Sequence, residues 1–479
     1  MLKDFTTKYL FLFSLTFIAL LSFGFYYEFP IAIVIPAILI FGYLALFRLD
    51  TLFWLVVFCT PLSVNLEKLE MGGVGFFLPT EPLLFGLLLI ISLKQLFRKS
   101  NIEVKRHPFI ISLSLYFIWV LITTITSEIP LVSFKFLLSK LWLIVPVFYF
   151  GLLLFKEIQN IKKYVWLYLI SLSLVILFTL IRHASLGFSE EAGHWVMSPF
   201  FKDHTSYGAI IALMLPVLVA FFQLSTKETT TRFLLMLLII IFLLGLYYSY
   251  TRAAWGTVVG GIGVWAIIKY KVKLKYLISI LVIGIMYIGI NFVDVSYNLS
   301  KNESEHATED IGERIESMSN ISTDASNLER INRWTSAVNM FKERPVFGFG
   351  PGTYSFEYAP YQDPNKISII STNFGDMGNA HSEYLGPLAE TGLVGFLSIL
   401  LIVFVIFYKS ITLYYKIEDR ELKTITLSLI VGLSTYFAHG ILNNYLDTDK
   451  ASIPVWGFCA IIMAIELYHK DKLKKSTTK

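Results

Sequence analysis

The 479-residue sequence is poor in charge, nearly free of cysteine, and lacks the compact signatures of nucleotide binding and hydrolysis. Only 16% of its residues are Asp, Glu, Lys or Arg, where soluble domains carry roughly 25%. With 55% hydrophobic residues and a mean hydropathy of +0.65, this excludes an ordinary soluble enzyme. The two cysteines, Cys59 and Cys459, each sit inside an apolar run, so neither a disulfide framework nor a cysteine metal site is available. The net charge is +5, but the basic residues are strung between apolar segments rather than clustered, which argues against nucleic acid as a partner. There is no Gly-x-Ser-x-Gly elbow. Gly348-Phe349-Gly350-Pro351-Gly352 lacks the Gly-Lys-Ser/Thr ending of a phosphate loop and reads as a backbone turn. No internal repeat is evident and the one long loop is not duplicated, which counts against an inverted-repeat transporter.

What the sequence has is hydrophobic length. A membrane span takes about 20 mainly apolar residues. Fourteen candidates fall at 9–26, 30–47, 51–66, 82–97, 109–127, 132–155, 164–181, 206–224, 233–250, 253–268, 276–293, 383–408, 425–443 and 452–468. The reading is one all-α polytopic membrane protein with about 12–14 transmembrane helices and the lipid bilayer as its solvent. Tyr9 to Tyr26 follows Lys3 and Lys8 as a signal sequence would, but it is long, has no small-x-small cleavage site and runs into the next span, so a retained helix is expected. With the N-terminus inside, the inner segments hold 25 Lys and Arg and the short outer loops hold 5, which places both termini in the cytoplasm. The expected organisation is N-terminal helices over 1–205, central helices over 206–293, a long outer loop over 294–380, and C-terminal helices with a short tail over 381–479.

That loop, Asp294 to Ala380, is 87 residues long and is the one extramembrane segment large enough for a small domain. Asn298 to Asn327 is polar and is expected to be poorly ordered. From Leu328 the apolar residues Leu328, Ile331, Trp334, Val338 and Phe341 recur every three or four positions, which predicts an amphipathic helix starting near Asn327 and stopped by Pro345.

Residues able to carry chemistry cluster around this loop. His381, in Asn379-Ala380-His381-Ser382-Glu383-Tyr384, lies where the loop re-enters the membrane. At a helix N-terminus the macrodipole favours neutral imidazole, the form of a general base; the alternative is a histidine that caps or anchors the helix. Arg252, in a very short outer turn between two apolar spans, is costly there unless it faces a cavity or an anion; snorkelling to headgroups is the other reading. Arg330 and Arg333 lie one turn apart beside Trp334 and could hold a diphosphate bidentately, or form ordinary salt bridges to Glu329 or Glu343. His204, beside Asp203 at the mouth of the eighth span, and Glu390, on the far side of the twelfth, are possible accessory groups. Asp447-Thr448-Asp449 has metal-pair spacing, but no histidine accompanies it and no metal is expected. Gly392, Gly395 and Ser398 read as close helix packing.

Three stretches together resemble the bacterial O-antigen ligase and polymerase superfamily of membrane glycan transferases. His381-Ser382, nine residues, Gly392, two residues and Gly395 are similar to the ligase pattern His-(Asn/Ser/Gln)-x9-Gly-x2-(Gly/Thr/Tyr). The SYTRAAWG turn holds Arg252. ERINRWTSAVNMFKERPVFGFGPGTY is similar to an Arg-x3-Trp helix followed by Pro-x2-Gly-x-Gly, in which Arg330 is the matching arginine and Arg333 an extra one. The likeness covers roughly residues 200–445. It implies a GT-C-like enzyme of the bacterial inner membrane that moves a glycan from undecaprenyl diphosphate to an acceptor hydroxyl, a glycan or glycolipid, at the periplasmic face, with no cofactor. His381 would be the catalytic base, and Arg252 and Arg330, with Arg333, would bind the diphosphate. Lipopolysaccharide assembly is the process implied, with a polymerase using the same donor as the alternative and a lipid or polysaccharide transporter behind it.

Overall fold

The computed structural model describes residues 40–45, 47–65, 77–96, 102–225, 229–273, 325–364 and 378–470, with short runs between 14 and 24 and scattered positions at 275–286 and 473. The expected spans 9–26, 30–47 and 276–293, and the polar stretch from Asn298, lie wholly or largely outside these residues. Each of the other eleven expected spans coincides with a helix. In chain order these are α1 (Leu49–Cys59), α2 (Thr80–Leu96), α3 (Pro108–Ile125), α4 (Pro130–Leu154), α5 (Ile158–Ala184), α6 (His204–Leu224), α7 (Thr229–Tyr247) and α8 (Arg252–Lys269). The loop helix α9 (Ala325–Glu343) follows, then α10 (Leu385–Lys416), α11 (Arg420–His439) and α12 (Asp449–Tyr468). The one sheet among the described residues is a two-residue antiparallel ribbon, Val64–Asn65 on Phe77–Leu78. This is an all-α polytopic membrane protein. By length and composition seven of the described helices can cross a bilayer: α3 to α7, α10 and α12. The span expected at 51–66 is shorter than expected. Its helix stops at Cys59 because Pro61 has no N–H to continue the ladder.

The bundle is organised around α12, in which every residue from Asp449 to Ile465 is buried, whereas α7 is mostly exposed at the edge. Pro454 inside α12 deprives the Lys450 carbonyl of its helical donor, and the Tyr168 hydroxyl of α5 supplies one at 2.7 Å. Pro146 has a similar effect in α4, where the chain widens into a π turn over Pro146–Phe150. α6 and α11 pack with backbones nearly touching at Gly432, where a Cβ would lie 2.5 Å from the Leu213 carbonyl oxygen.

α10 is not a continuous helix. Gly392 takes φ 68° and ψ −167°, a conformation open essentially to glycine alone, and the helix breaks there. Four backbone groups at the break find partners outside the helix. Trp119 donates its indole N–H to the Thr391 carbonyl at 2.8 Å, and the Leu393 N–H donates to the Pro345 carbonyl at 2.9 Å. The N–H groups of Phe349 and Gly350 donate to the Ala389 and Glu390 carbonyls at 3.1 and 2.8 Å. The 345–352 turn is thus a backbone splint on the broken helix. Gly392, expected to serve helix packing, instead makes the break and lets the backbone at Pro345 and Val346 approach.

Candidate active site

His381 lies on the connection between the loop helix and α10, with φ +47°. Its backbone is held from both sides. The His381 N–H donates to Asn379 Oδ1 at 3.0 Å, and the Trp334 indole of α9 donates to the His381 carbonyl at 3.3 Å. The capping role open to His381 in the sequence is filled by Ser382, whose Oγ accepts the N–H groups of Tyr384 and Leu385 at 3.3 Å each. No described residue hydrogen-bonds the imidazole of His381. Burial, then the charges of Arg330 and Arg333, push its pKa down to about 4, so the ring is neutral at pH 7.

Glu383 anchors the same connection to the far side of the bundle. Its N–H donates to the Gly440 carbonyl at 2.8 Å, and its Oε1 accepts from the Tyr436 hydroxyl and the N–H of Tyr445 at 2.7 Å each, and from the N–H of Leu446 at 2.9 Å. The sequence reading passed over this carboxylate and over Lys140, which pairs with Asp447 at 2.5 Å. Both carried a usable signal, since an ionisable residue within or at the edge of a span is a candidate for a partnered role.

Arg252 opens α8 after a turn that is locked into the loop between α5 and α6. Tyr250, at φ +52°, donates its hydroxyl to the Phe188 carbonyl at 2.6 Å, and Thr251 Oγ1 donates to the His204 carbonyl at 2.9 Å. His204, the first residue of α6, stacks on His194 with ring centroids 4.4 Å apart. The charges of both Arg252 and Arg330 act on the His204 ring, and the Arg330 charge also acts on His381 and His439. Four of the expected residues, Arg252, Arg330, His204 and His381, therefore share one electrostatic neighbourhood. His439, at the C-terminal end of α11, was not anticipated; it is buried and bonded to Asn443 at 3.1 Å.

Arg333 has a different setting from Arg330. Its Nε pairs with Glu329 Oε1 at 2.6 Å with both side chains buried, and its guanidinium lies over the Tyr358 ring at 4.1 Å. The expected apolar stripe of α9 is not its buried face. Ile331, Trp334 and Val338 are only half-buried, whereas Glu329, Asn332, Arg333, Ser336, Ala337 and Met340 are buried. Polar members of that face are tied within the loop: Asn332 Oδ1 accepts the Asp363 N–H at 2.8 Å and the Tyr354 hydroxyl donates to the Arg333 carbonyl at 2.7 Å. Replacing Glu329 with glutamine leaves a buried guanidinium without its carboxylate and is expected to cost about 3 kcal/mol, read as a lowered melting temperature of the purified protein.

Glu390 lies apart from the histidines and accepts the Tyr354 N–H at 3.1 Å, securing the splint. The Asp447 and Asp449 carboxylates do not converge: Asp447 pairs with Lys140, and Asp449 accepts from Ser63 and Thr80. Among the described residues no group of three or more His, Cys, Asp or Glu is placed to hold a metal.

Residues 237–400 match a family model described as O-antigen ligase. This segment is similar to the O-antigen ligase family. It contains Arg252, Arg330, His381, the splint and the helix break, and leaves His204, Lys140 and His439 outside. A search of curated proteins returns no match. The match supports a membrane glycosyltransferase of the ligase or polymerase type.

Proposed function

We propose that the protein is an O-antigen ligase-like glycosyltransferase of the bacterial inner membrane. It takes a glycan from undecaprenyl diphosphate and joins it to an acceptor hydroxyl at the periplasmic face. The observation that carries this reading is an imidazole with no hydrogen-bond partner among the described residues, fixed through its backbone, whose pKa burial and then the Arg330 charge push down.

The arginines and the histidine divide the chemistry between them. Arg252 and Arg330 offer guanidinium donors to the diphosphate and stabilise the charge that develops as it leaves. His381 accepts the proton of the acceptor hydroxyl while that oxygen attacks the anomeric carbon. The new C–O bond forms as the bond to diphosphate breaks, its electron pair stays on the diphosphate oxygen, and the configuration inverts. Arg333, committed to Glu329 and Tyr358, acts in this scheme by holding α9 and by adding positive potential at His381.

The test is transfer by purified protein in nanodiscs, supplied with an undecaprenyl-diphosphate glycan and either a glycolipid or a second lipid-linked glycan. Wild type is expected to transfer, and Arg252→Ala and Arg330→Ala each to lose roughly 10²-fold or more in kcat/KM. Consumption of the glycolipid identifies a ligase, and elongation of the second lipid-linked glycan a polymerase. Undiminished transfer by both arginine variants overturns the assignment, and translocation without transfer returns a transporter.

A further inference from the structure

The 345–352 turn carries two adjacent apolar side chains that the protein leaves uncovered, Val346 at 52% and Phe347 at 43% exposure. Its stems are fixed at the connection between α3 and α4. Arg344 pairs with Glu128, and the Glu128 N–H donates to the Phe349 carbonyl at 3.0 Å. Between those stems the tip runs back alongside α3 and α10. The Phe347 ring stacks on Trp119 of α3, with centroids 5.7 Å apart and planes 10° from parallel, and the backbone at Pro345 and Val346 packs on Gly392 of α10.

The helices that the tip touches give its depth. At their opposite ends α3, α10 and α12 are tied together by Glu466, which bonds His107 at 3.1 Å and Lys409 at 2.7 Å. A network of ionisable groups at helix ends marks where these helices leave hydrocarbon. With a rise of about 1.5 Å per residue, Trp119 and Gly392 stand about 18 and 25 Å from that level, and any tilt lowers them. Both fall within the roughly 30 Å of a bilayer's hydrocarbon core.

The surface around the tip has the same character. Ile118, Ile122 and Ile125 form an exposed stripe on α3, and Leu393 and Leu397 one on α10, at helical spacing. An open hollow of about 350 Å³ lies between the tip and Thr126 at the end of α3; its one charged lining residue, Arg344, is already paired with Glu128. The surface therefore offers contacts to hydrocarbon and not to a phosphate. Backbone groups beside the tip are bonded within the protein, as hydrocarbon requires: the Gly348 N–H donates to the Arg344 carbonyl at 3.1 Å, and the Pro345 carbonyl accepts from Leu393 at 2.9 Å. A soluble partner does not reach a surface at this depth.

We infer that Val346 and Phe347 form a wedge inserted among the phospholipid acyl chains of the leaflet on the His381 side, continuing the lipid-facing surface of α3 and α10. The bilayer thereby helps to hold the splint against the break in α10. This inference stands apart from the transferase reading.

The experiment uses the full chain in nanodiscs of phosphatidylethanolamine and phosphatidylglycerol, with no glycan donor present. A benzophenone side chain replaces Ile118, Lys342, Val346 or Phe347, one at a time. After irradiation, mass spectrometry is expected to find phospholipid adducts at Ile118, Val346 and Phe347, and none at Lys342, an exposed residue of α9. In a second measurement Val346→Cys is expected to react with a membrane-impermeant maleimide no faster than wild type, while Lys342→Cys reacts fully. All four positions are exposed, so the substitutions leave the packed core intact. A tip that behaves as Lys342 does, without lipid adducts and open to maleimide, overturns the wedge. Adducts from Val346 and Phe347 to a second copy of the chain, or to another segment of the same chain, in place of phospholipid overturn it as well and identify a protein cover. Neither measurement involves catalysis, so the outcome is the same whether or not the protein transfers a glycan.

Discussion

Transfer by His381→Asn is expected to fall by about 10²–10⁴-fold in kcat, the usual contribution of a positioned general base, with donor KM little changed. Asparagine is the informative replacement because it tolerates the positive φ that His381 adopts, so the connection keeps its shape while the basic nitrogen is lost. An unchanged kcat in a folded variant would remove His381 from the chemistry. The pH profile gives a second, independent reading. Protonating the imidazole destroys the base, so activity falls as pH drops through the pKa of His381. In the free enzyme that value is pushed down to about 4 by burial and by Arg330 and Arg333, and the acid limb of kcat/KM is expected there. A bound diphosphate offsets the arginine charge and raises the value toward the ordinary histidine range near 6.5. The acid limb of kcat should therefore lie at higher pH than that of kcat/KM, and Arg330→Gln should move the latter upward. Coincident limbs in wild type would contradict coupling between donor and base.

Gly392→Ala is expected to destabilise the protein on the order of 3 kcal/mol, because the new Cβ forces alanine into a conformation reserved for glycine and meets the Val346 carbonyl carbon at 2.5 Å. Thermal unfolding of the purified protein measures it. Gly263→Ala, in the interior of α8 with no atom within 4 Å of the added methyl, serves as the control and is expected to be neutral or slightly stabilising. A Gly392→Ala protein as stable as the control would mean that the break in α10 is not required. Because that break receives the 345–352 splint, the variant should also lose transfer at temperatures where it remains folded.

Hydrophobic length made the spans legible, since lipid imposes a run of apolar residues on every crossing helix, and the described helices fall where those runs are. The same rule misjudged the face of α9. A periodic apolar stripe marks the buried side only when nothing polar can be satisfied inside, and here Glu329, Asn332 and Arg333 find partners on Tyr358, Asp363 and one another. The helix break at Gly392 was invisible for a related reason: it goes with the close approach of the backbone at Val346, 46 residues away, which no local pattern encodes. At the site, Arg252, Arg330 and His381 stood out through costly residue types at membrane boundaries. Glu383 was passed over although its residue type was a signal, because the partners that define its role, Tyr436 and Tyr445, lie 53 and 62 residues away.

The contacts of Asp449 and Lys450 bear on the order in which the chain is assembled. Both residues are buried at the start of the last described helix. Asp449 accepts from Ser63 and Thr80, and the Lys450 ammonium donates to the carbonyls of Thr60 and Ser63 at 2.7 Å each. Their partners are made at the ribosome 369 to 390 residues earlier, so this latch closes only when α12 arrives. Docking of α12 also places the segment that receives Glu383. A chain halted before α12 would thus be inserted yet unlatched, with the His381 connection still lacking the partners that hold Glu383.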